Sequence, residues 1–273
     1  LGCTDMLVRF NQDRGGVGRV PILMPCRWIN GWPMLGDEQG HIAKVMDRPI
    51  SGQESKSIVA SDDFNSNILK LEWQWNHNPI DKAWSLKERK GWLRLKTSRQ
   101  VENLYVAPNT ISQRMIGPKS IATVKIDFSK MKDGDCAGFA AFNGHSGVMT
   151  VERNGKDYIL TMTNQTVNLR DSDKAVTSVD SEEIERITLN KTTLWLQIEA
   201  DFTNHKECAS FSFSEDGKIF RKIGQDFRMR FDYRRFFMGT RFAIFNYATK
   251  KTGGYVDVDN FDIVVKNDVK EKM

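Results

Sequence analysis

The sequence has few of the residues from which reactive or metal-binding sites are usually built. Its 273 residues include four cysteines and four histidines, and none of these lies at zinc-binding spacing from another. The cysteines are too few and too far apart for a disulfide scaffold: Cys3, Cys26, Cys136 and Cys208. No serine, cysteine or histidine stands in a known nucleophile motif. The composition therefore gives no support to a zinc enzyme or to a serine or cysteine hydrolase.

Long apolar runs and charge of one sign are also missing. No apolar stretch approaches the roughly 18 residues that a membrane-spanning helix needs, so we expect no membrane span. The 40 basic and 35 acidic residues are interspersed and leave a net charge of +5. Because no dense basic cluster stands out, we predict no nucleic-acid partner. Amphipathic helices are scarce too, and only residues 181–187 suggest a short helical turn.

β-Strand alternation is present from residue 62 almost to the C-terminus. Apolar residues recur with period two, which is typical of strands because successive side chains leave opposite faces of a sheet. Turn dipeptides such as Asn154-Gly155 separate the strands. The predicted strands include residues 121–128, 137–142, 151–162, 194–202, 210–214, 242–245 and 255–265. Many short strands with regular turn signals predict an all-β sandwich or barrel.

Residues 71–97 concentrate the aromatic side chains. Leu71 is spaced to share a strand face with the first two tryptophans, and His77 in the following turn is expected to be a hydrogen-bonded structural residue. The rings could stack on sugars, but core packing is the expected role for most of them because aromatic residues dominate core energetics. Four of the seven tryptophans lie here: Trp73, Trp75, Trp84 and Trp92.

The chain divides into three parts. Residues 1–49 carry signals for only two or three strands, including an Asn30-Gly31 hairpin, and that is too little to form a domain alone. Residues 50–61 are polar and are interpreted as a linker. Residues 62–273 form the predicted sandwich.

Two groups of polar residues are candidate sites. Asp63, Asp257 and Asp259 lie at the beginning and end of the sandwich, where pairing of the first and last strands would gather oxygen ligands for a structural calcium ion. The alternative is that these carboxylates face water. Arg19 follows the glycine-rich residues 15–18, which would let the backbone approach a ligand closely. A surface or interface arginine is the equal alternative.

Three segments resemble glycoside hydrolase family 43, the β-xylosidases and α-L-arabinofuranosidases. Residues 12–33, with QDRGGVGRVP and PCRWINGWP, are similar to the last blade of that family's five-bladed β-propeller. Residues 73–97, and residues 237–257 with FMGTRFAIFNYATK, resemble the start and end of its C-terminal sandwich. The resemblance implies a concanavalin A-like jelly-roll β-sandwich preceded by a remnant of the propeller.

The resemblance also implies a function for the parent enzyme. Family members invert the anomeric centre with an Asp base, a Glu acid and a second Asp that tunes the acid, the reacting pair standing about 6.5–9.5 Å apart. These carboxylates come from earlier blades, so no catalytic residue is assigned to this chain. The implied role is to brace the missing propeller portion and to form one wall of a pocket for xylo- or arabino-oligosaccharides. No cofactor is required, and the calcium ion considered above would be structural only.

The resemblance transfers three residues to the substrate pocket. Arg19 matches the arginine of a Gly-x-x-Gly-Arg motif, and Phe237 matches the phenylalanine of a His-Phe-Thr-Gly loop that leans over the pocket. Phe236 stands at the histidine position and Met238 at the threonine position, which leaves open whether Phe236 or Phe237 is the shield. The alternative function is a stand-alone carbohydrate-binding sandwich that uses exposed aromatic residues.

Overall fold

The computed structural model describes residues 2–4, 16–18, 21–23, 25–41, 47, 52, 54, 56–203, 206–231 and 235–266. Strands dominate these residues, and the helical elements among them are short 3₁₀ turns such as Asp81–Ala83 and Leu104–Val106. The strands are β1 (Gly2–Thr4), β2 (Pro21–Leu23), β3 (Cys26–Ile29), β4 (Trp32–Leu35), β5 (Gln74–Trp75), β6 (Trp84–Ser85), β7 (Leu93–Lys96), β8 (Ile111–Arg114), β9 (Lys119–Asp127), β10 (Asp135–Phe142), β11 (His145–Asn154), β12 (Asp157–Leu169), β13 (Val176–Thr188), β14 (Thr193–Asp201), β15 (Cys208–Ser214), β16 (Arg221–Lys222), β17 (Phe227–Arg228), β18 (Arg241–Ala248) and β19 (Tyr255–Lys266).

Two antiparallel sheets form the sandwich. One has the strand order β13-β12-β11-β10-β18-β8-β5. The other has the order β16-β15-β14-β9-β19-β7-β6, with β17 paired to β15. Asp62 pairs with Phe261 through two backbone hydrogen bonds of 2.8 Å, so the start of the sandwich meets its last strand as the sequence suggests. The all-β jelly-roll prediction is confirmed.

The main core lies between the two sheets. Strands such as β9 and β14 alternate buried and half-buried residues because their side chains point alternately into and out of the sandwich. Strand β10 departs from this pattern, since every one of its residues is buried. Phe139 on β10 contacts Phe261 on β19 edge to face, with ring centroids 6.4 Å apart, and so joins the two sheets.

A second apolar cluster explains why β10 is buried on both faces. The 3₁₀ turn Leu104–Val106 and the loop before β18 cover the outer face of the seven-stranded sheet. Tyr105, Phe142 and Phe245 are fully buried in this cluster. The covering loops thus hold the segment before β18 against the sheet, and this segment contains Phe236 and Phe237.

The described residues before the sandwich form two small sheets, β1-β2 and β3-β4. The β3–β4 hairpin turns at Asn30-Gly31, whose φ angles of 50° and 80° belong to the left-handed region that this dipeptide favours. The end of the predicted linker contacts the sandwich, because the Gln113 side chain accepts from Ala60 N at 3.0 Å and donates to Ala60 O at 2.9 Å.

Two local predictions were wrong. Residues 181–187, suggested as a helical turn, belong to the 13-residue edge strand β13. Leu71, predicted to share a face with Trp73, is 97% exposed because it lies in a turn before β5. Trp73 itself is buried, and its indole N–H donates to Asp62.

Among the described residues, no helix has the length and apolar character that a bilayer crossing requires.

Candidate functional site

The loop before β18 separates the two neighbouring phenylalanines. Phe236 is half-buried, stacks on Tyr105 with centroids 6.0 Å apart, and packs at 5.9 Å against Phe142. Phe237 remains 62% exposed and has the Phe231 ring edge-on at 5.8 Å. The first ring therefore anchors the loop, and the second is presented at the surface.

Asn143 holds this loop from the turn between β10 and β11. Its fully buried amide donates to the carbonyl oxygens of Met238 at 3.1 Å and Arg230 at 3.3 Å. Its Oδ1 accepts from Gly144 N at 2.7 Å. Since every polar atom of the side chain is bonded, Asn143 fixes both ends of the loop that carries Phe237.

A buried hydroxyl network supports Asn143. Ser146 Oγ donates to the Asn143 carbonyl at 2.8 Å and accepts from Tyr105 Oη at 3.0 Å. Burial raises the pKa of the Tyr105 phenol, so it remains a donor throughout the physiological range. The sequence shows Asn143-Gly144 only as a turn signal, and nothing local reveals that the asparagine reaches the loop near residue 238.

The residues before Arg19 meet the other side of the same loop. Thr240 N donates to Gly16 O at 2.5 Å. A Cβ at Gly18 would lie only 2.7 Å from Gly239 N, and the φ of Gly18 is 83°. Glycine is required here for both space and conformation. Arg19 itself lies outside the described residues, but Gly18 brings the chain leading to it against the Phe237 loop.

Asp63 and Asp259 line a shared groove, whereas Asp257 is buried beside it. Asp257 accepts from Arg94 Nε at 2.7 Å, from Arg94 Nη2 at 2.9 Å and from Arg89 Nη1 at 3.1 Å. Asp259 Oδ2 lies 2.5 Å from Lys125 Nζ. The hydrogen bond from Asn65 holds the pKa of the exposed Asp63 carboxyl below its usual range.

This arrangement does not fit a calcium ion, which needs six to eight oxygens free of competing cations. Within the described ranges, no group of three or more His, Cys, Asp or Glu side chains could hold a metal ion. The calcium site stays a prediction, and the arginine and lysine partners of Asp257 and Asp259 argue against it.

The same groove, of about 530 Å³, also contains Trp92 and Trp195. Lys125 Nζ lies 5.3 Å from the centroids of both rings. Arg89 covers Trp92 at 3.5 Å, and a Cβ at Gly217 would fall 2.8 Å from Cε2 of Trp195. Protein groups therefore already occupy part of the ring surface on which a sugar would stack.

The remaining tryptophans of residues 71–97, His77 and the hairpin tryptophans have defined positions in the structure. Trp75 and Trp84 pack against each other with centroids 5.3 Å apart and border the core. His77 Nε2 donates to Tyr105 O at 2.8 Å, which confirms a hydrogen-bonded structural residue. Trp28 and Trp32 on the β3–β4 hairpin are 68% and 73% exposed.

Comparison with known proteins agrees with this fold. A family model described as the β-xylosidase C-terminal concanavalin A-like domain matches residues 61–264. A β-xylosidase of Formosa agariphila is 32% identical over 92% of this chain and 43% of its own length. A non-reducing end α-L-arabinofuranosidase of Bacteroides ovatus is 27% identical over 67% of this chain and 36% of its own.

Comparison with a solved structure supports the same fold and family. A bifunctional GH43-CE protein of Bacteroides eggerthii superimposes with a TM-score of 0.79 and 39% identity, covering 93% of this chain and 32% of that one. The chain thus spans less than half the length of these relatives. It belongs to the C-terminal concanavalin A-like domain family of the glycoside hydrolase family 43 β-xylosidases.

Proposed function

We propose that this chain is the C-terminal region of an inverting β-xylosidase or α-L-arabinofuranosidase, in which the sandwich braces the propeller and walls the substrate pocket. The catalytic carboxylates then lie in a part of the enzyme outside these residues. The names of the relatives, a β-xylosidase and an α-L-arabinofuranosidase, support the substrate class of xylo- or arabino-oligosaccharides.

One observation carries the proposal: the segment leading to Arg19 docks on the loop that presents Phe237. The bond from Thr240 N to Gly16 O and the close approach of Gly18 to Gly239 join the two through main-chain atoms. We therefore assign Arg19 and Phe237 to the rim of one pocket, with Phe236 as the internal anchor of the loop. An exposed aromatic ring on a fixed loop suits closure over a sugar.

The acids among the described residues support the absence of catalytic carboxylates. Asp257 is buried against Arg94 rather than facing a cleft, and Asp259, which lines the groove beside it, is paired with Lys125. Burial raises the pKa of Asp135 to about 6, which would suit a general acid, but its side chain has no exposure through which a substrate could reach it.

Hydrolysis of aryl β-xyloside and aryl α-L-arabinofuranoside tests the proposal. We expect no turnover by the 273-residue chain and turnover by the full-length enzyme that contains it. Turnover by the chain that disappears on Phe237→Ala would contradict the proposal. In the full-length enzyme, Phe237→Ala should raise KM or lower kcat without lowering Tm, whereas Phe236→Ala should lower Tm because it removes the anchor.

The alternative of a stand-alone carbohydrate-binding module is tested by titration with xylo-oligosaccharides. Trp28 and Trp32 are its exposed candidates, but the hairpin register pairs Trp28 with Pro33 and Ile29 with Trp32, so the two rings lie on opposite faces. A platform for one sugar chain needs its rings on the same face. Saturable binding by the isolated chain that is lost on Trp28→Ala would favour the module.

A further inference from the structure

Two arginines lie directly opposite each other on neighbouring strands of the seven-stranded sheet. Arg241 begins β18 and pairs in register with Arg114, the last residue of β8. Side chains of paired residues in antiparallel strands leave the same face, so the two cations share one patch of sheet surface. Like charges in this position repel each other and weaken strand pairing.

No carboxylate among the described residues offsets this repulsion. Nη1 of Arg241 is buried and has no hydrogen-bond partner. Burial of Arg241 and the nearby Arg114 both lower the pKa of its guanidinium, and no acidic group in the described part of the chain opposes them. Arg94 on β7 shows the usual arrangement, since its partially buried guanidinium grips Asp257 with two nitrogens. A partly buried arginine without an anion is unfavourable, so the Arg114–Arg241 pair is incomplete among the residues that the structure describes.

The position of the pair indicates where its anion comes from. Arg241 directly follows Thr240, whose N–H donates to Gly16 O in the segment that resembles the last propeller blade. Arg114 is exposed, so the patch is open to a group arriving from outside the sandwich. The pair therefore lies beside the contact between the sandwich and the residues that precede it.

We propose that Arg114 and Arg241 together bind an aspartate or glutamate side chain of the enzyme portion outside this chain. The proposal rests on the proposed function, which supplies that portion. Guanidinium groups hold carboxylates in bidentate geometry, and two of them around one carboxylate would remove the repulsion between them. The proposed neutral oligosaccharide substrates carry no carboxylate, which favours a protein side chain over a substrate group.

The direction in which Arg241→Gln changes Tm, in the isolated chain and in the full-length enzyme, tests this pairing. In the isolated 273-residue chain, Arg241→Gln removes only repulsion, so we expect Tm to stay unchanged or rise. In the full-length enzyme the same change breaks an ion pair, so we expect Tm to fall. Arg221→Gln is the matched control because Arg221 is exposed on the other sheet, and it should leave both proteins unchanged.

A small dicarboxylate gives an independent readout. Malonate should raise Tm of the isolated chain in a saturable way beyond sodium chloride of equal ionic strength, because it binds the folded state alone. Arg241→Gln and Arg114→Gln should abolish this rise, and Arg221→Gln should retain it. The full-length enzyme should not respond, since its own carboxylate fills the site.

Three results would overturn the proposal. One is an isolated chain that does not respond to malonate, and another is a full-length enzyme that responds as strongly as the chain. The third is an Arg241→Gln change that lowers Tm equally in both proteins, which indicates a structural role only. The glycoside assays judge the proposed function separately, because these measurements report only on the arginine pair.

Discussion

Asp135, at the start of β10, is a fully buried carboxylate with an incomplete set of partners. Oδ2 accepts from Lys132 N at 2.7 Å, whereas Oδ1 has no hydrogen-bond partner. Gly254 lies so close that a Cβ there would overlap Oδ2. Burial without a paired cation raises the pKa of this carboxyl to about 6 from the ordinary value of 3.8.

Stability should therefore depend on pH through Asp135. The folded state binds the proton more tightly than the unfolded state, so the contribution is complete below about pH 4 and is lost as pH rises through 6. The loss is about 3 kcal/mol at most. Urea unfolding between pH 4 and pH 7 should show this decline in the wild type and a smaller one in Asp135→Asn. An equal decline in the variant would show that another group is responsible.

Sequence reasoning reached some site residues and missed others for identifiable reasons. Residues 236–238 were found through the motif, but only the stacking on Tyr105, 131 positions earlier in the chain, decides which ring is buried. The sequence predicts a metal at Asp257 and gives no sign of its arginine partners, because these come from distant β7 and the preceding loop. Contacts of this range leave no local pattern.

At the scale of elements, one ion pair links β7 to β19. Arg94 and Asp257 are directly opposed in the register of these strands, and Asp257 is 3% exposed. Arg94 also lies 4.0 Å from the Tyr255 ring centroid, and its pKa is raised chiefly by the hydrogen bonds to Asp257. Removing the cation would leave a buried carboxylate with Arg89 alone.

Arg94→Met should therefore destabilise the sandwich by about 3 kcal/mol. The matched control is Arg186→Met, which removes an equally well-formed but exposed ion pair with Glu183 on β13 and should change stability little. The measurement is the urea midpoint of each variant. Equal effects of the two changes would contradict the importance of burial at Asp257.

Strand prediction succeeded where burial dictates the residues and failed where it does not. The core-facing alternation of β9 and β14 follows from one face packing inward. Strand β13 lies at the sheet edge, where most residues are exposed and acids discourage pairing with other molecules. Its charged sequence therefore carries little of the period that identifies a strand.

At the scale of the whole molecule, the β3–β4 hairpin carries exposed apolar residues on both faces. One face carries Trp28 and Pro33, and the other carries Ile29, Trp32 and Met34, all of them exposed. A two-stranded hairpin is marginal on its own, and such residues normally contact a neighbour on each side. A strand pair inside a propeller blade has this environment.

Replacing Trp28 and Trp32 together with glutamine should reduce binding of a hydrophobic dye to the isolated chain and improve its solubility. The same double change should lower Tm of the full-length enzyme, where we expect the rings to be covered. Ile219→Gln, at an isolated site that is 77% exposed, is the control and should do neither. A double variant as stable as the wild type in the full-length enzyme would show that nothing covers this hairpin.

The contact between Gly16–Gly18 and Gly239-Thr240 is made by backbone atoms with no room for a side chain. Main-chain atoms cannot change rotamer, so this contact cannot adjust to a relative movement of the two segments. Any tilt of the sandwich would therefore move the loop that presents Phe237 by the same amount. In the proposed enzyme, the orientation of the sandwich relative to the portion outside this chain would then set the position of the Phe237 ring.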